Sequence, residues 1–138
     1  MEHDLARCYA HTPTGALIAA VQISSRSMTA DNWQDVFERQ TYGVDRASTL
    51  KQLKDQFGEA PLPAPEPGEL GQVAGFRYVT YNPQTAVVEV LYRYPDGSHQ
   101  FQPMTTRWHG GDWQIEINNN VKRRDASSTE EFVTWGGV

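Results

Sequence analysis

Apolar residues recur at helical spacing through the first part of the chain. The stretch Thr14–Met28 is small and apolar on nearly every side, which is typical of a helix enclosed by other elements. Thr12 or Thr14 would cap its start, and Pro13 suits a position in its first turn. The pattern therefore predicts a central helix.

Two further helices are predicted after the central one. Thr29–Gln40 begins with cap-like residues and is amphipathic. Trp33, Val36 and Phe37 fall on one stripe of it because they recur at helical intervals. A third stretch opens at residue 45 and ends at Gly58, and its apolar residues recur at the same spacing: Ala47, Leu50, Leu53 and Phe57.

Proline dominates the segment that follows these helices. Residues 60–68 hold four of the eight prolines, and such a stretch can neither continue a helix nor supply hydrogen-bond donors to a sheet. We interpret it as an extended connector between a helical layer and a sheet. It is not a domain boundary, because the helices before it have apolar faces that need a partner.

Beyond the connector the period changes from helical to alternating. Residues Val73–Tyr81, Thr85–Tyr94, 99–108 and Trp113–Ile117 are rich in β-branched and aromatic residues and are separated by short turns. Four antiparallel strands are therefore predicted. Pro103 inside the third strand indicates a bulge or an unpaired edge position.

These elements predict one α+β domain spanning residues 1–138, with the helices packed on a curved antiparallel sheet of four strands. A length of 138 residues suits a single hydrophobic core. The tail 132–138 again carries large apolar groups, so we expect it to dock on the body of the domain.

Charge argues against nucleic acid as a partner. Twelve Lys and Arg against seventeen Asp and Glu give a net charge of −5, the wrong sign for neutralising phosphates. The one basic cluster, Lys122, Arg123 and Arg124, is interpreted as a solvated loop. A regulator that contacts DNA through this cluster is the weakest of the functions considered.

The residues that could carry chemistry do not form a catalytic or metal-binding set. Cys8 is the only cysteine, which excludes an intrachain disulfide and a cysteine-based zinc site. Acidic residues are spread singly, so no acid–base pair is predicted. We expect no catalytic residue, no bound metal and no cofactor. His11, with Tyr9 and Thr12, precedes the central helix and is expected to brace the entry of the chain.

Nothing in the sequence predicts a membrane span. There is no run of about 18 apolar residues, and Met1–Asp4 lacks the regions of a signal peptide. If the natural protein has an anchor, we expect it upstream of this sequence.

The order of elements carries a first resemblance. Three helices, a connector and a meander that closes with the hairpin Trp108–Ile115 resemble the cone-shaped fold of nuclear transport factor 2 and ketosteroid isomerase. This resemblance implies architecture only.

A narrower resemblance covers most of the chain. It is carried by residues 9–16 (YAHTPTGA), 73–76 (VAGF), 93–98 (RYPDGS), 111–113 (GDW) and 132–138 (FVTWGGV). Together these motifs are similar to an uncharacterised actinobacterial family associated with integrative and conjugative elements. The resemblance implies a membrane-anchored, extracytoplasmic domain in a conjugative, type IV secretion-like apparatus, and protein components of that apparatus as partners. A cytoplasmic location is the alternative.

Two functions compete on this basis. The first is a non-catalytic interaction or scaffold domain, capable of forming a homo-oligomer, whose structural or interaction motif comprises Tyr9, His11, Thr12 and Trp135. The second is a small-molecule binder or isomerase-like enzyme that uses a pocket between helices and sheet. The candidate lining residues of that pocket are Trp33, Phe37, Tyr78, Tyr92 and Trp113.

Overall fold

The computed structural model describes residues 9–29, 32–58, 60, 62–63 and 71–135. Cys8 and most of the proline-rich connector lie outside the described residues. The described part contains three helices, as the hydrophobic periodicity predicts: α1 (Pro13–Thr29), α2 (Trp33–Gln40) and α3 (Arg46–Phe57).

Helix α1 is the central helix expected from the sequence. The hydroxyl of Thr12 accepts a hydrogen bond from the Gly15 N–H at 3.0 Å, so Thr12 caps the helix and Pro13 is its first residue. Small side chains let the helix approach the sheet closely. The buried residues of α1 include Ala16, Leu17, Ala19, Ala20 and Ile23.

The other two helices differ from the prediction in detail. Helix α2 begins at Trp33 after Asn32, whereas Thr29 is the last residue of α1. The cap-like residues at the start of the predicted second helix therefore do not start it, and Asn32 makes no side-chain cap bond. Helix α3 buries no residue completely, so its apolar stripe is only partly covered.

The sheet is mixed and has seven strands in the described part of the chain, so the expectation of four antiparallel strands is wrong, although the α+β class is confirmed. The order is β1-β5-β4-β3-β2-β7, and β6 also pairs with β4. The strands are β1 (Thr41–Tyr42), β2 (Gln72–Tyr81), β3 (Thr85–Arg93), β4 (His99–His109), β5 (Asp112–Glu116), β6 (Arg124–Asp125) and β7 (Val133–Thr134).

The three strands that the sequence does not reveal have two residues each, too few to display an alternating pattern. Strand β1 pairs parallel with β5, with Thr41 opposite Ile115. Strand β6 pairs antiparallel with β4, and β7 pairs antiparallel with β2. Strands β1 and β7 extend the predicted meander at its two edges, whereas β6 pairs with its inner strand β4.

The main core lies between α1 and the helix-facing side of the sheet. Helix α1 packs on β3, β4 and β5. Alternate residues of β3 face it, as expected for a strand with one buried face. The sheet residues of this cluster are Ala86, Val88, Val90, Tyr92, Met104, Trp113 and Ile115.

The C-terminal segment covers part of the opposite side of the sheet. Leu91 is only 2 % exposed although it lies outside the main core cluster. The ring of Phe132 lies 5.9 Å from that of Phe101, and the Arg77 guanidinium lies 4.6 Å from the Phe132 ring. The expected docking of the tail therefore holds for its described residues, and residues 136–138 lie outside them.

Candidate functional site

The segment before α1 is fixed on the hairpin that joins β4 and β5. The Tyr9 N–H donates to Asp112 Oδ1 at 3.0 Å, and the Trp113 indole N–H donates to the Ala10 carbonyl at 2.8 Å. The hairpin can reach the segment because Gly110 and Gly111, with φ of 63° and 84°, make a tight turn that favours glycine. Two long-range bonds thus place the chain before the helix begins.

His11 adds two further contacts to this attachment. Its ring lies parallel to the Trp108 indole, with centroids 3.8 Å apart, and meets Trp113 edge-on at 5.7 Å. His11 Nε2 lies 2.5 Å from the Pro83 carbonyl oxygen. Because that oxygen can only accept, Nε2 carries the proton in this hydrogen bond. His11 therefore braces the segment against two turns of the sheet.

Tyr9 contributes a hydroxyl with no hydrogen-bond partner. The Tyr9 oxygen is buried and unpaired among the described residues. Burial raises the pKa of Tyr9 to about 12, Arg26 opposes the shift, and Asp112 adds to it. The phenol is therefore neutral at physiological pH, and its unpaired hydroxyl costs stability.

The five candidate pocket residues do not lie together. Tyr92 and Trp113 belong to the main core cluster beneath α1. Trp33 and Phe37 are buried on α2 outside that cluster, and the Trp33 indole donates to the Ala60 carbonyl at 2.8 Å. Tyr78 is 40 % exposed. Four of these aromatic side chains fill space, and the fifth reaches the surface.

Tyr78 belongs to a partly exposed apolar strip along the edge of the sheet. We call this the edge strip and define it as Phe76, Tyr78 and Val79 of β2 with Val133 and Trp135 at β7. The Phe76 ring makes edge contacts with Tyr78 at 5.7 Å and with Trp135 at 6.0 Å. Val79 and Val133 are 53 % and 57 % exposed. The strip carries no charged side chain.

The structure separates the residues of the interaction motif expected from the sequence into two groups. Tyr9, His11 and Thr12 meet at the N-terminal attachment, whereas Trp135 contacts Phe76 in the edge strip. The two groups approach each other where Thr14, in the first turn of α1, donates a hydrogen bond to the Tyr78 hydroxyl oxygen. Sequence reasoning missed Phe76 and Val133, which only the pairing of β7 with β2 brings together.

Ionisable side chains are peripheral in the described part of the chain. None of its Asp, Glu or His residues is buried. No group of three or more His, Cys, Asp or Glu among these residues is arranged to hold a metal ion.

Arg123 is the member of the basic cluster that makes specific contacts with the sheet. Its guanidinium lies 4.3 Å from the Tyr92 ring, its Nε donates to Gln102 Oε1 at 3.2 Å, and Nη1 donates to the Tyr94 hydroxyl. Burial raises the pKa of Tyr92, and Arg123 opposes that shift. Arg123 is exposed, as expected for a solvated loop, and its contacts also hold the chain just before β6.

A cavity of about 300 Å³ opens beside the same segment. It lies between the second half of α1, the edge of β4 and the chain that leaves β5. Its lining is half polar and uncharged, and most of the rest is apolar: Ser24, Ser27, Gln102, Pro103, Met104, Thr105, Ile115, Glu116, Ile117, Asn118, Asn119 and Val121. None of the five aromatic residues expected to line a pocket lines this one.

The fold and its surfaces define an α+β domain whose helix-facing core is packed with aromatic residues and whose sheet edge is apolar. The chain belongs to the family described as Domain of unknown function (DUF8175), which matches residues 1–135. No curated protein and no solved structure matches the chain. In the described residues, no helix combines the length and apolar character needed to cross a membrane.

Proposed function

We propose that this chain is a non-catalytic interaction or scaffold domain of a conjugative, type IV secretion-like apparatus, built on a nuclear transport factor 2-like cone. The observation that carries the proposal is the edge strip. Three linked aromatic side chains and two largely exposed valines belong to it, and Phe76 and Trp135 are partly buried against the main core. Exposed apolar side chains grouped at one edge are typical of a protein–protein interface.

The chemistry of the strip suits binding of another protein. Tyrosine and tryptophan are enriched among the residues that dominate interface energies, and charged residues are depleted at interface centres. Tyr78 keeps its ring exposed while its hydroxyl bonds Thr14, so the ring is held in place before a partner arrives. A side chain ordered in advance loses less entropy on binding.

The packing of the other aromatic candidates supports a non-catalytic function. Tyr92 and Trp113 fill the core under α1, and none of the described Asp, Glu or His residues is buried there. The alternative function, an isomerase-like enzyme, needs a buried acid or base whose pKa is shifted for proton transfer. Glu116, the one ionisable residue that the described chain contributes to the lining of the 300 Å³ cavity, is only partly buried.

The proposed context comes from the resemblance of five sequence motifs to a family linked with integrative and conjugative elements of actinobacteria. It implies protein components of the transfer apparatus as partners, self-association into a homo-oligomer, and an extracytoplasmic location with a membrane anchor. The net charge of −5 disfavours direct binding of nucleic acid.

Site-specific photocrosslinking tests this proposal. A photoreactive phenylalanine analogue replaces Tyr78, and the protein is co-expressed with the products of the genes adjacent to its own. We expect crosslinks to a second copy or to a defined transfer component. The same analogue at Val44, which is 86 % exposed on a turn, is the matched control and should crosslink neither. Equal crosslinking from both positions, or none from Tyr78, would contradict the proposal.

A further inference from the structure

Strand β4 has a gap along one of its two sides. On the β3 side its pairing is continuous from His99 to Arg107. On the other side β5 pairs with it only as far as Thr106, and β6 pairs with it only at Gln100 and Phe101. In the described chain no strand therefore lies beside residues 102–105 on that side. The 300 Å³ cavity occupies this gap.

Two observed hydrogen bonds show which backbone groups of β4 face the gap. The Trp108 N–H donates to Gln84 on the β3 side, and the His99 carbonyl accepts from Ala126 on the opposite side. Because successive residues of a strand direct their backbone groups to opposite sides, even-numbered residues face β3 and odd-numbered residues face away. Pro103 and Thr105 consequently point their backbone groups toward the gap.

This orientation explains a proline in a central strand. Proline has no N–H, and it is tolerated in a sheet where that group would not join the ladder. Pro103 keeps its register opposite Glu89 while its nitrogen faces the gap. Its carbonyl and the Thr105 N–H thus offer one acceptor and one donor on the gap side, two residues apart.

The walls of the cavity provide further polar groups. Ser24 donates only to the thioether sulfur of Met104, at 3.7 Å, which is a weak acceptor. Across the cavity, the loop after β5 is held open because the Asn119 backbone N–H donates to Asp45 and its side chain donates to Thr49. Met104, Ile115 and Val121 add apolar surface.

We propose that this gap is a binding site for a small, uncharged, amide-bearing molecule of about the size of a capped amino acid. The ligand donates to the Pro103 carbonyl and accepts from the Thr105 N–H, as a neighbouring strand would. Its side group contacts Met104 and Val121. An anion is disfavoured because Glu116 is the only ionisable residue among the described residues of the lining. The site is separate from the edge strip and does not depend on the proposed interaction function.

Amide NMR with N-acetyl-L-alanine N′-methylamide as the probe tests the site. We expect saturable shifts of the Thr105 amide and of the Asn118 and Asn119 side-chain amides. N-acetyl-L-alanine methyl ester lacks the donor for the Pro103 carbonyl and should bind about tenfold more weakly, the equivalent of one hydrogen bond. The absence of saturable shifts, or shifts that appear only with a longer peptide, would overturn the proposal.

Variants separate binding in the gap from binding elsewhere. Val121→Phe fills the cavity and should abolish the shifts, whereas Val44→Phe makes the same change on an exposed turn and should retain them. If Val121→Phe fails to fold, Ser24→Leu on the opposite wall provides the same test. Equal binding by a folded cavity-filling variant and by Val44→Phe would overturn the proposal.

Discussion

The imidazole of His11 lies flat on the indole of Trp108, with the two planes within 2° of parallel and the centroids 3.8 Å apart. This stack joins the residue just before the cap of α1 to the end of β4. It therefore connects the helical layer to the sheet at a point where the chain has not yet formed regular structure. The stability of α1 on the sheet depends on it.

His11→Ala should lower the free energy of unfolding by about 1–2 kcal/mol, because it removes the stack and the bond to the Pro83 carbonyl. Urea denaturation followed by tryptophan fluorescence measures the change. His109→Ala is the control, since His109 is exposed at the end of β4, and should change stability by no more than about 0.5 kcal/mol. Equal effects of the two variants would contradict the role of the stack.

Gly15→Ala should destabilise the domain, although alanine favours a helix over glycine by about 1 kcal/mol. A Cβ at this position would overlap the Ala10 carbonyl, which also accepts the Trp113 indole bond. We expect a loss of about 1–3 kcal/mol in the free energy of unfolding, with an altered near-ultraviolet circular dichroism signal from Trp113. A gain in stability would show that the N-terminal segment is not held against α1.

Tyr9→Phe should raise the free energy of unfolding by about 1 kcal/mol, because it removes a buried hydroxyl that has no partner. Tyr94→Phe makes the same chemical change where the hydroxyl bonds Arg123, and should lower stability by a similar amount. Opposite signs in thermal or urea denaturation are the expected result. Destabilisation by Tyr9→Phe would mean that its hydroxyl has a partner.

Alkaline pH should destabilise the domain through Tyr42. Burial raises the pKa of Tyr42 to about 12, Glu116 adds to the shift, and Arg107 opposes it. In the unfolded chain the pKa is 10.0, so between about pH 10 and 12 the unfolded state holds fewer protons than the native state. Stability is thus constant below this window and falls across it. Urea midpoints at several pH values should show a smaller decline in Tyr42→Phe, and identical declines would contradict this assignment.

The sequence predicts the long helices and strands of this fold because each repeats its helical or alternating spacing of apolar residues several times. All three helices and the four long strands are found within a few residues of their expected positions. Strands β1, β6 and β7 have two residues each and form where segments distant in sequence meet. No alternating pattern in the local sequence predicts them. In the sequence, Pro103 indicates an irregularity in the third predicted strand. In the structure, Pro103 lies beside the gap along β4.

The candidate surfaces are less predictable than the fold. Alternation correctly places Tyr92 and Trp113 on the helix-facing side, but it cannot tell whether that side is hollow or filled. Tyr78 lies next to a register shift between β2 and β3, at an edge that α1 leaves open to solvent. Which strand ends up at the edge depends on strand order, and strand order is not encoded in the period of a single strand.

The most direct test of the interaction function is light scattering of the purified domain, alone and mixed with the products of its adjacent genes. The edge strip predicts a complex, either a homo-oligomer or a mixed assembly, that Val79→Lys disrupts and Val44→Lys leaves intact. A strict monomer that binds none of those components, or a complex unaffected by Val79→Lys, would contradict the account.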